Sequence, residues 1–399
     1  ATFASSGVNN GIVVTVTGYT LGGANASYYT VSQPTGLTAN ITAKTLTVTG
    51  ISISNKVYNG NTTATITGTA ALSGVVGADV VTLGGTPSAS FASAGVANAI
   101  VITVTGYTIG GANAGNYTIA QPTGLTADIT AKALNVTGIS ISNKVYNGNT
   151  TATITGSAAL SGIVGADVVT LGGTPAASFA SANVANAISI TVTGYTIGGA
   201  NAGNYTVVQP TGLTADITAK NLTITGISIS NKPYDATNAA TISGTAALSG
   251  VVGADVVTVG GAPTATFASV NVGTGISTTV SGYTLGGAAA GNYTVSQPTG
   301  LTANITAKTL TITGLSASNK VYNGNNTASL TGTAALSGVV GAEDVNLSGS
   351  PTATFPSSAV GNALTVTVTG YSITGTDIGI YRLSQPAGIM AEITANNLS

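Results

Sequence analysis

Apolar and polar residues alternate with a period of two along most of this chain, which is typical of β-strands with one buried face. Residues 46–54 read Leu-Thr-Val-Thr-Gly-Ile-Ser-Ile-Ser, and their apolar positions change from even to odd numbers at Gly50. A one-residue change of face at a glycine predicts a β-bulge. Other predicted strand segments are 63–67, 79–83, 102–105 and 116–119. Only 69–72, Thr-Ala-Ala-Leu, and its copies have a composition that could form a helical turn.

The same motifs return every 88 residues from one end of the chain to the other. Asn-Lys-Val-Tyr-Asn-Gly begins at Asn55, Asn143 and Asn319, and Asn-Lys-Pro-Tyr-Asp-Ala begins at Asn231. The 399 residues therefore hold four full units, preceded by the end of a fifth. We predict a C-terminal half-repeat at 1–47, full repeats at 48–135, 136–223 and 224–311, and a divergent terminal repeat at 312–399.

A unit of this length is large enough to enclose its own core. We therefore predict an all-β fold, a tandem array of small Ig-like β-sandwich domains; a parallel β-helix solenoid is the alternative. Residues 128–138 lead from the last strand of one unit into the first strand of the next without a Pro/Gly linker, which predicts a stiff junction. We expect the chain to be a slice of a longer array. Strand donation to residues 1–47 by a neighbouring subunit is the alternative.

Composition excludes several functional classes. The chain has no His and no Cys, so zinc fingers, iron–sulfur clusters, Cys nucleophiles and Ser-His-Asp triads are impossible. A net charge of −1 with nine Lys and Arg residues provides no basic patch for nucleic acid. Mean hydropathy is +0.43, yet no run approaches the roughly 20 apolar residues that span a bilayer.

The recurrent polar residues have structural and functional interpretations. Asn59-Gly60 predicts a tight hairpin turn, with a ligand-binding loop as the alternative, and the stem of Lys56 is expected to lie over Tyr58. Three tyrosines recur in each unit, and we expect them to line the core edge with their hydroxyls on polar partners. Stacking on glycans is the alternative role. In the first full unit these tyrosines are Tyr58, Tyr107 and Tyr117.

Two acidic positions also recur. A glycosidase pair or a Ca²⁺ site is conceivable, but the second acid is Asn at Asn40 and Asn304, and the acids are too few for a calcium cage. We expect the first acid to bond local backbone N–H groups. The acidic residues are Asp79, Asp167 and Asp255 at the first position, and Asp128 and Asp216 at the second. We assign no catalytic, cofactor-binding or metal-binding residue.

Two further hypotheses concern side chains on the strands. A Lys–Asn isopeptide bond at Lys56 or Lys132 would suit a stretched fibre, although a solvated lysine at a strand end is the simpler interpretation. Rows of Thr on the strands invite an ice-binding role. Thr is, however, a common residue on the outer face of any strand.

Five motifs follow in a fixed order in each unit. They are Leu-Thr-Val-Thr-Gly, Asn-Lys-Val-Tyr-Asn-Gly-Asn-Thr-Thr-Ala, Leu-Ser-Gly-Val-Val-Gly-Ala-Asp-Val-Val, Gly-Tyr-Thr-Ile-Gly-Gly-Ala-Asn-Ala-Gly-Asn-Tyr-Thr and Gln-Pro-Thr-Gly-Leu-Thr-Ala-Asp-Ile-Thr. This set resembles the YDG-type repeat of large bacterial surface adhesins, including filamentous-haemagglutinin-like proteins. The Tyr-Asp-Gly of the name reads Tyr-Asn-Gly in three copies and Tyr-Asp-Ala at 234–236.

The resemblance implies a non-enzymatic stalk or fibre segment, secreted and extracellular, on a bacterial cell surface or in a biofilm filament. Its implied partners are neighbouring repeats or like chains, with a glycan or other surface ligand as a further possibility. No nucleic acid, cofactor or membrane span in this segment is expected. A repeated ligand-binding module, for glycan or ice, is the alternative function.

Overall fold

The computed structural model describes residues 1–397. The chain divides into two compact units, and the 88-residue repeat continues through both. The first unit consists of Ala1–Ser142, Thr151–Ala180 and Ser189–Ala215. The second consists of Asn143–Thr150, Ser181–Ile188 and the chain from Asp216 onward.

Strands make up most of each repeat, together with one short 3-10 turn. The half-repeat has β1 (Thr2–Phe3), β2 (Asn9–Thr15) and β3 (Thr38–Ile41), with its turn at Ala26–Tyr28. The first full repeat has β4 (Lys44–Ile53), β5 (Lys56–Val57), β6 (Thr63–Ala64), β7 (Ile66–Ser73), β8 (Thr82–Phe91), β9 (Ala97–Gly110), β10 (Tyr117–Ala120) and β11 (Thr126–Thr130), with its turn at Ala114–Asn116.

The later repeats follow the same order. The second has β12 (Lys132–Ile141), β13 (Lys144–Val145), β14 (Thr151–Ala152), β15 (Ile154–Ser161), β16 (Thr170–Phe179), β17 (Ala185–Gly198), β18 (Tyr205–Val208) and β19 (Thr214–Thr218). The third has β20 (Lys220–Ile229), β21 (Lys232–Pro233), β22 (Ala239–Ala240), β23 (Ile242–Ser249), β24 (Thr258–Phe267), β25 (Gly273–Gly286), β26 (Tyr293–Ser296) and β27 (Thr302–Thr306). The fourth has β28 (Lys308–Ala317), β29 (Lys320–Val321), β30 (Leu330–Ser337), β31 (Asn346–Thr354), β32 (Gly361–Thr365), β33 (Thr367–Thr374), β34 (Tyr381–Leu383) and β35 (Met390–Thr394). Their 3-10 turns are Ala202–Asn204, Ala290–Asn292 and Ile378–Ile380.

Two sheets enclose the core of the first full repeat. One has the order β10-β4-β7, and the other has the order β5-β11-β9-β8-β6. The apolar faces of the two sheets meet in a cluster that includes Val48 from β4, Phe91 from β8 and Ile129 from β11. The third repeat, which lies in the second unit, has the matching orders β23-β20-β26 and β21-β27-β25-β24-β22. The predicted all-β array of sandwich-like repeats is confirmed, rather than the stacked rungs of a β-helix.

The predicted bulge at Gly50 is confirmed. The pairing of β4 with β7 shifts register between Thr49 and Ile51, and Gly50 has a φ of +80°. A Cβ on Gly50 would lie 2.3 Å from the carbonyl oxygen of Thr69. Only glycine allows the two backbones to come this close. The bulge also moves the buried positions of β4 from even-numbered to odd-numbered residues.

Two local sequence predictions are wrong. Residues 69–72 lie inside strand β7, and the helical turn falls instead at Ala114–Asn116. The predicted strand at 79–83 begins only at Thr82, because the N–H of Asp79 bonds the carbonyl of Val76 in a tight turn. The alanines of 69–72 favour no strand by themselves, so pairing with β4 decides their conformation.

When the repeats are counted from their first strands, so that β12 opens the second repeat and β28 the fourth, the core of the first full repeat does not end at the boundary between repeats. Leu134 of β12 is completely buried in the same apolar cluster as Phe91, and Tyr205 of the second repeat joins it. Strands β11 and β12 are separated by Ala131 alone, as the sequence predicts for an uninterrupted junction. In the second unit, Leu310 and Tyr381 of the fourth repeat likewise belong to the core of the third.

Replacing a glycine at a bulge is expected to destabilise its repeat. Gly138 has a φ of +79°, and a Cβ there would lie 2.3 Å from the carbonyl oxygen of Ser157. Gly138→Ala should cost about 3 kcal/mol or more, from the steric conflict added to roughly 1–2 kcal/mol of left-handed backbone strain. The measurement is guanidinium unfolding of the full chain.

Gly124 provides the matched control for that substitution. It has a similar φ of +75°, but a Cβ there meets nothing within 4 Å. Gly124→Ala should therefore show the backbone strain alone. Equal losses from the two substitutions would refute the role of close backbone approach at the bulge.

Candidate functional site

A carboxylate shared by two tyrosines connects successive repeats. In the first unit, the hydroxyls of Tyr58 and Tyr205 both donate to Oδ2 of Asp167, at 2.9 and 2.6 Å. The two rings meet edge to face, with their centroids 5.3 Å apart. Tyr58 belongs to the first full repeat, whereas Asp167 and Tyr205 belong to the second. We call this arrangement the tyrosine–carboxylate junction.

The backbone of each partner is fixed by its own repeat. Tyr58 follows β5, and its N–H bonds the carbonyl of Thr130 at 2.9 Å. Tyr205 begins β18, and its hydroxyl accepts the N–H of Val164 at 2.9 Å. The loop before β16 carries Asp167 between these groups. Each tyrosine therefore has a hydrogen bond within its own repeat in addition to the one it donates to Asp167.

The second unit contains two more junctions. Tyr146 and Tyr293 donate to Oδ2 of Asp255 at 2.8 and 2.6 Å, with ring centroids 5.3 Å apart. At the next junction Glu343 replaces the aspartate. Tyr234 donates to its Oε1 at 2.5 Å, Tyr381 donates to its Oε2, and the ring centroids lie 6.0 Å apart. The longer glutamate thus offers one oxygen to each phenol.

An asparagine adds a second polar contact between repeats. Oδ1 of Asn204 accepts the N–H of Val96 at 3.0 Å in the first unit. In the second unit, Oδ1 of Asn292 accepts the N–H of Val184 at 2.8 Å. Each asparagine lies immediately before the tyrosine of its junction in the sequence, so one short segment supplies both contacts.

The sequence prediction for the first acidic position is wrong. It expected Asp79 to bond local backbone N–H groups, but its carboxylate accepts the hydroxyl of Tyr117 at 2.6 Å. Asp167 and Asp255 bond tyrosines in the same way. The tyrosine is 38 residues further along the chain, so the local sequence of the acid gives no sign of it.

The second acidic position holds the backbone of its own repeat. Oδ1 of Asp128 accepts the N–H of Ala99 at 2.8 Å, and Ala99 has a φ of +50°. Oδ2 of Asp128 accepts the side-chain amide of Asn55 at 3.2 Å. At the equivalent position of the third repeat, Oδ1 of Asn304 accepts the N–H of Gly275 at 2.8 Å. An amide oxygen can therefore replace the carboxylate as the acceptor.

The Asn59–Gly60 segment is not the predicted hairpin. Strand β5 before it pairs with β11, and β6 after it pairs with β8, at opposite edges of one five-stranded sheet. The amine of Lys56 holds the connecting loop together. It donates to Oδ1 of Asn59 at 3.0 Å and to the carbonyl of Asn61 at 2.6 Å.

The sequence predicts that the amine of Lys56 stays in solvent, but it bonds the loop and lies 5.1 Å from the ring centroid of Phe91. Burial lowers its pKa. In the third repeat Asp235 gives Lys232 a 2.8 Å ion pair. Burial alone would raise the pKa of Asp235, but hydrogen bonds from Lys232 and Thr237 bring it below its ordinary value. An isopeptide bond would also need a buried acid to promote it, whereas the amine of Lys56 donates to amide and carbonyl oxygens.

Within residues 1–397, no group of three or more acidic side chains is placed to hold a metal ion. The same residues include no helix long and apolar enough to cross a membrane. The carboxylates at the recurrent positions are engaged by tyrosines or by backbone and amide donors, as described above. Their chemistry is that of hydrogen-bond acceptors.

The junction raises the pKa of its phenols. Tyr146 reaches a pKa of about 12 because it donates to Asp255, is buried, and faces the negative charge of that carboxylate. The pKa of Tyr234 also rises to about 12, through its hydrogen bond to Glu343, burial and the charge of Glu343. Both phenols therefore stay protonated, and remain donors, well above neutral pH.

Removing one junction hydroxyl should weaken the connection between repeats. Tyr58→Phe keeps the buried ring but deletes a donor to a charged acceptor, which costs about 1.5–3 kcal/mol. The measurement is the denaturation midpoint of the full chain. Tyr107 is equally buried at 6% exposure, and its amide, not its hydroxyl, bonds Gln121, so Tyr107→Phe is the control and should be nearly silent. An equal effect from both substitutions would contradict the junction's role.

Alkaline pH should loosen the junctions of the second unit. The folded pKa of Tyr146 and Tyr234, about 12, lies above the ordinary value of 10. Their contribution to stability is therefore complete below about pH 10 and is lost as the pH rises through 12. Thermal melts of the full chain between pH 9 and roughly 12.5 measure this loss. A Tyr146→Phe/Tyr234→Phe variant should show a shallower decline, and an unchanged slope would refute the assignment.

The comparisons with known proteins agree with the repeat structure. No curated protein matches the chain. The YDG domain matches at residues 42–124, 130–212, 218–300 and 306–388. These four matches cover most of the chain and recur at the interval of its strands and junctions. The chain therefore belongs to the YDG domain family, as a tandem array of four copies.

Proposed function

We propose that this chain is a load-bearing structural segment: part of the non-enzymatic stalk or fibre of a secreted bacterial cell-surface adhesin or extracellular filament. The observation that carries the proposal is the tyrosine–carboxylate junction, which joins successive repeats in both units. A catalytic site is needed only once in a chain. A contact that returns at each repeat is what an extended array needs.

A pulling force along the chain does not unzip the strands of a repeat one hydrogen bond at a time. Tension at Lys44 acts along β4, which pairs in parallel with β10 and antiparallel with β7. Both ladders must slide at once, so their hydrogen bonds share the force instead of breaking one by one. The chain then leaves through β11 and continues directly into β12.

The surface composition also supports an extracellular assembly. Only 5% of the residues are charged, and the net charge is −1. Long neutral chains repel one another weakly, so like chains can associate side by side. The proposed location is the bacterial cell surface, and the proposed partners are neighbouring repeats and other copies of the same chain.

A repeated ligand-binding module is the second candidate, and one recurring cleft favours it. In the first unit the cleft lies between Thr137 on β12 and the Gln209-Pro210 loop. The third repeat has the same cleft, between Thr225 and Gln297-Pro298. Its lining carries polar as well as apolar side chains, which suits a glycan. For ice binding, the candidate surface is the rows of exposed Thr side chains on the strands.

Single-molecule stretching tests the structural proposal. We expect a regular sawtooth in which each opened repeat releases about 300 Å of chain, since 88 residues extend by about 3.4 Å each. Featureless extension at low force would overturn the proposal. A glycan array and an ice-affinity assay on the same protein address the second candidate. Binding that is lost in a Gln209→Ala/Gln297→Ala variant, with mechanical resistance unchanged, would establish the binding module instead.

A further inference from the structure

Tyrosine is the main oxidisable side chain of this protein. The sequence has 15 Tyr, one Met, and no Cys, Trp or His. An oxidant that reaches the folded protein therefore finds few oxidisable side chains other than tyrosine. Six of these phenols lie in pairs at the three tyrosine–carboxylate junctions, and each is between 5% and 6% exposed.

We propose that each junction is an oxidative cross-linking site, at which a one-electron oxidant converts the paired tyrosines into dityrosine. The modification would join neighbouring repeats covalently in a chain that cannot form disulfides. The pairs are Tyr58–Tyr205, Tyr146–Tyr293 and Tyr234–Tyr381. The proposal stands on the geometry of these pairs and does not depend on the proposed stalk function.

The geometry brings the hydroxyl ends of the paired rings together. Dityrosine forms between ring carbons ortho to the two hydroxyls. At the first junction both hydroxyls bond one oxygen of Asp167, so the hydroxyl ends of Tyr58 and Tyr205 converge on a single atom. The two rings are in direct edge-to-face contact, with their centroids 5.3 Å apart.

The shared carboxylate supplies the proton acceptor that phenol oxidation requires. Loss of one electron makes a phenol strongly acidic, and the O–H proton passes along the existing hydrogen bond to Asp167. The second phenol loses its electron and proton in the same way, with the protons going on to solvent. The two phenoxyl radicals join through one carbon–carbon bond, and the two ortho hydrogens move to oxygen. In total the protein loses two electrons and two protons, and the oxidant accepts the electrons.

Burial favours coupling within a pair over coupling between molecules. A radical on Tyr58 or Tyr205 meets its junction partner before it can meet another chain. Tyr28 and Tyr29, at 81% and 72% exposure, have no such restriction. The third pair is the least favourable, because its centroids are 6.0 Å apart and its hydroxyls bond different oxygens of Glu343. We expect the first two links to form faster than the third.

The test is photo-oxidation of dilute full-length protein with ruthenium tris-bipyridyl and persulfate, followed by trypsin and mass spectrometry. Cleavage after lysine and arginine, with Lys232-Pro233 left intact, separates every junction pair onto different peptides. The expected links join 57–132 to 145–220, 145–220 to 221–308, and 221–308 to 321–382, each short of two hydrogen atoms. Fragmentation should locate them at the junction tyrosines. Links confined to exposed tyrosines would overturn the proposal.

The chain offers controls in the same molecule. Tyr107, Tyr195 and Tyr283 are as buried as the junction tyrosines but have no tyrosine ring against them among residues 1–397, so they should stay unlinked. Tyr205→Phe should remove the first link and leave the second at its original yield. A first link that persists in Tyr205→Phe, or links at the control tyrosines in equal yield, would refute site-specific coupling.

The carboxylate is tested separately as a positioning residue. Asp167→Asn removes the proton acceptor, and the first link should form at least several-fold more slowly while the Tyr146–Tyr293 link is unchanged. Asp167→Glu should restore the first link toward the rate of the Glu343 junction. If Asp167→Asn links as fast as the native protein, the proton-acceptor role is wrong. Circular dichroism of each variant shows whether the sheets are intact.

Discussion

A carboxylate partly withdrawn from water needs hydrogen-bond donors, and this fold draws them from two different repeats. Leaving the partly buried Asp167 without partners would be destabilising, so its carboxylate depends on the phenols that Tyr58 and Tyr205 supply. That dependence fixes the distance between repeats to within the length of a hydrogen bond.

Apolar packing reinforces the same connection. Leu134 and Tyr205 lie in the core of the repeat that precedes their own, and Leu310 and Tyr381 do the same in the second unit. Within each of the two units, one repeat thus completes the interior of its predecessor, and the polar junction lies beside this shared apolar contact. Repeat arrays built in this way gain stability from their interfaces as well as from their individual units.

The sequence predicts the strands well and their partners poorly. Alternation and the change of parity at Gly50 identify β4 and its bulge, because both depend on neighbouring residues alone. Asn59-Gly60 has the local chemistry of a hairpin, yet its flanking strands pair at opposite edges of a sheet. The partners of Asp167 lie 109 and 38 residues away in the sequence. Neither contact can be recognised from the residues that neighbour Asp167. Only the unvarying recurrence of these residues could have suggested that they meet.

Because the junction uses equivalent residues each time, any two repeats present compatible halves. Tyr146 with Asp255 reproduces the arrangement of Tyr58 with Asp167, and Glu343 shows that the acceptor tolerates a change of acid. Recombination between repeats that removes or duplicates a whole period would therefore rejoin matching surfaces. The length of the array can evolve in single steps, without a new interface having to be invented.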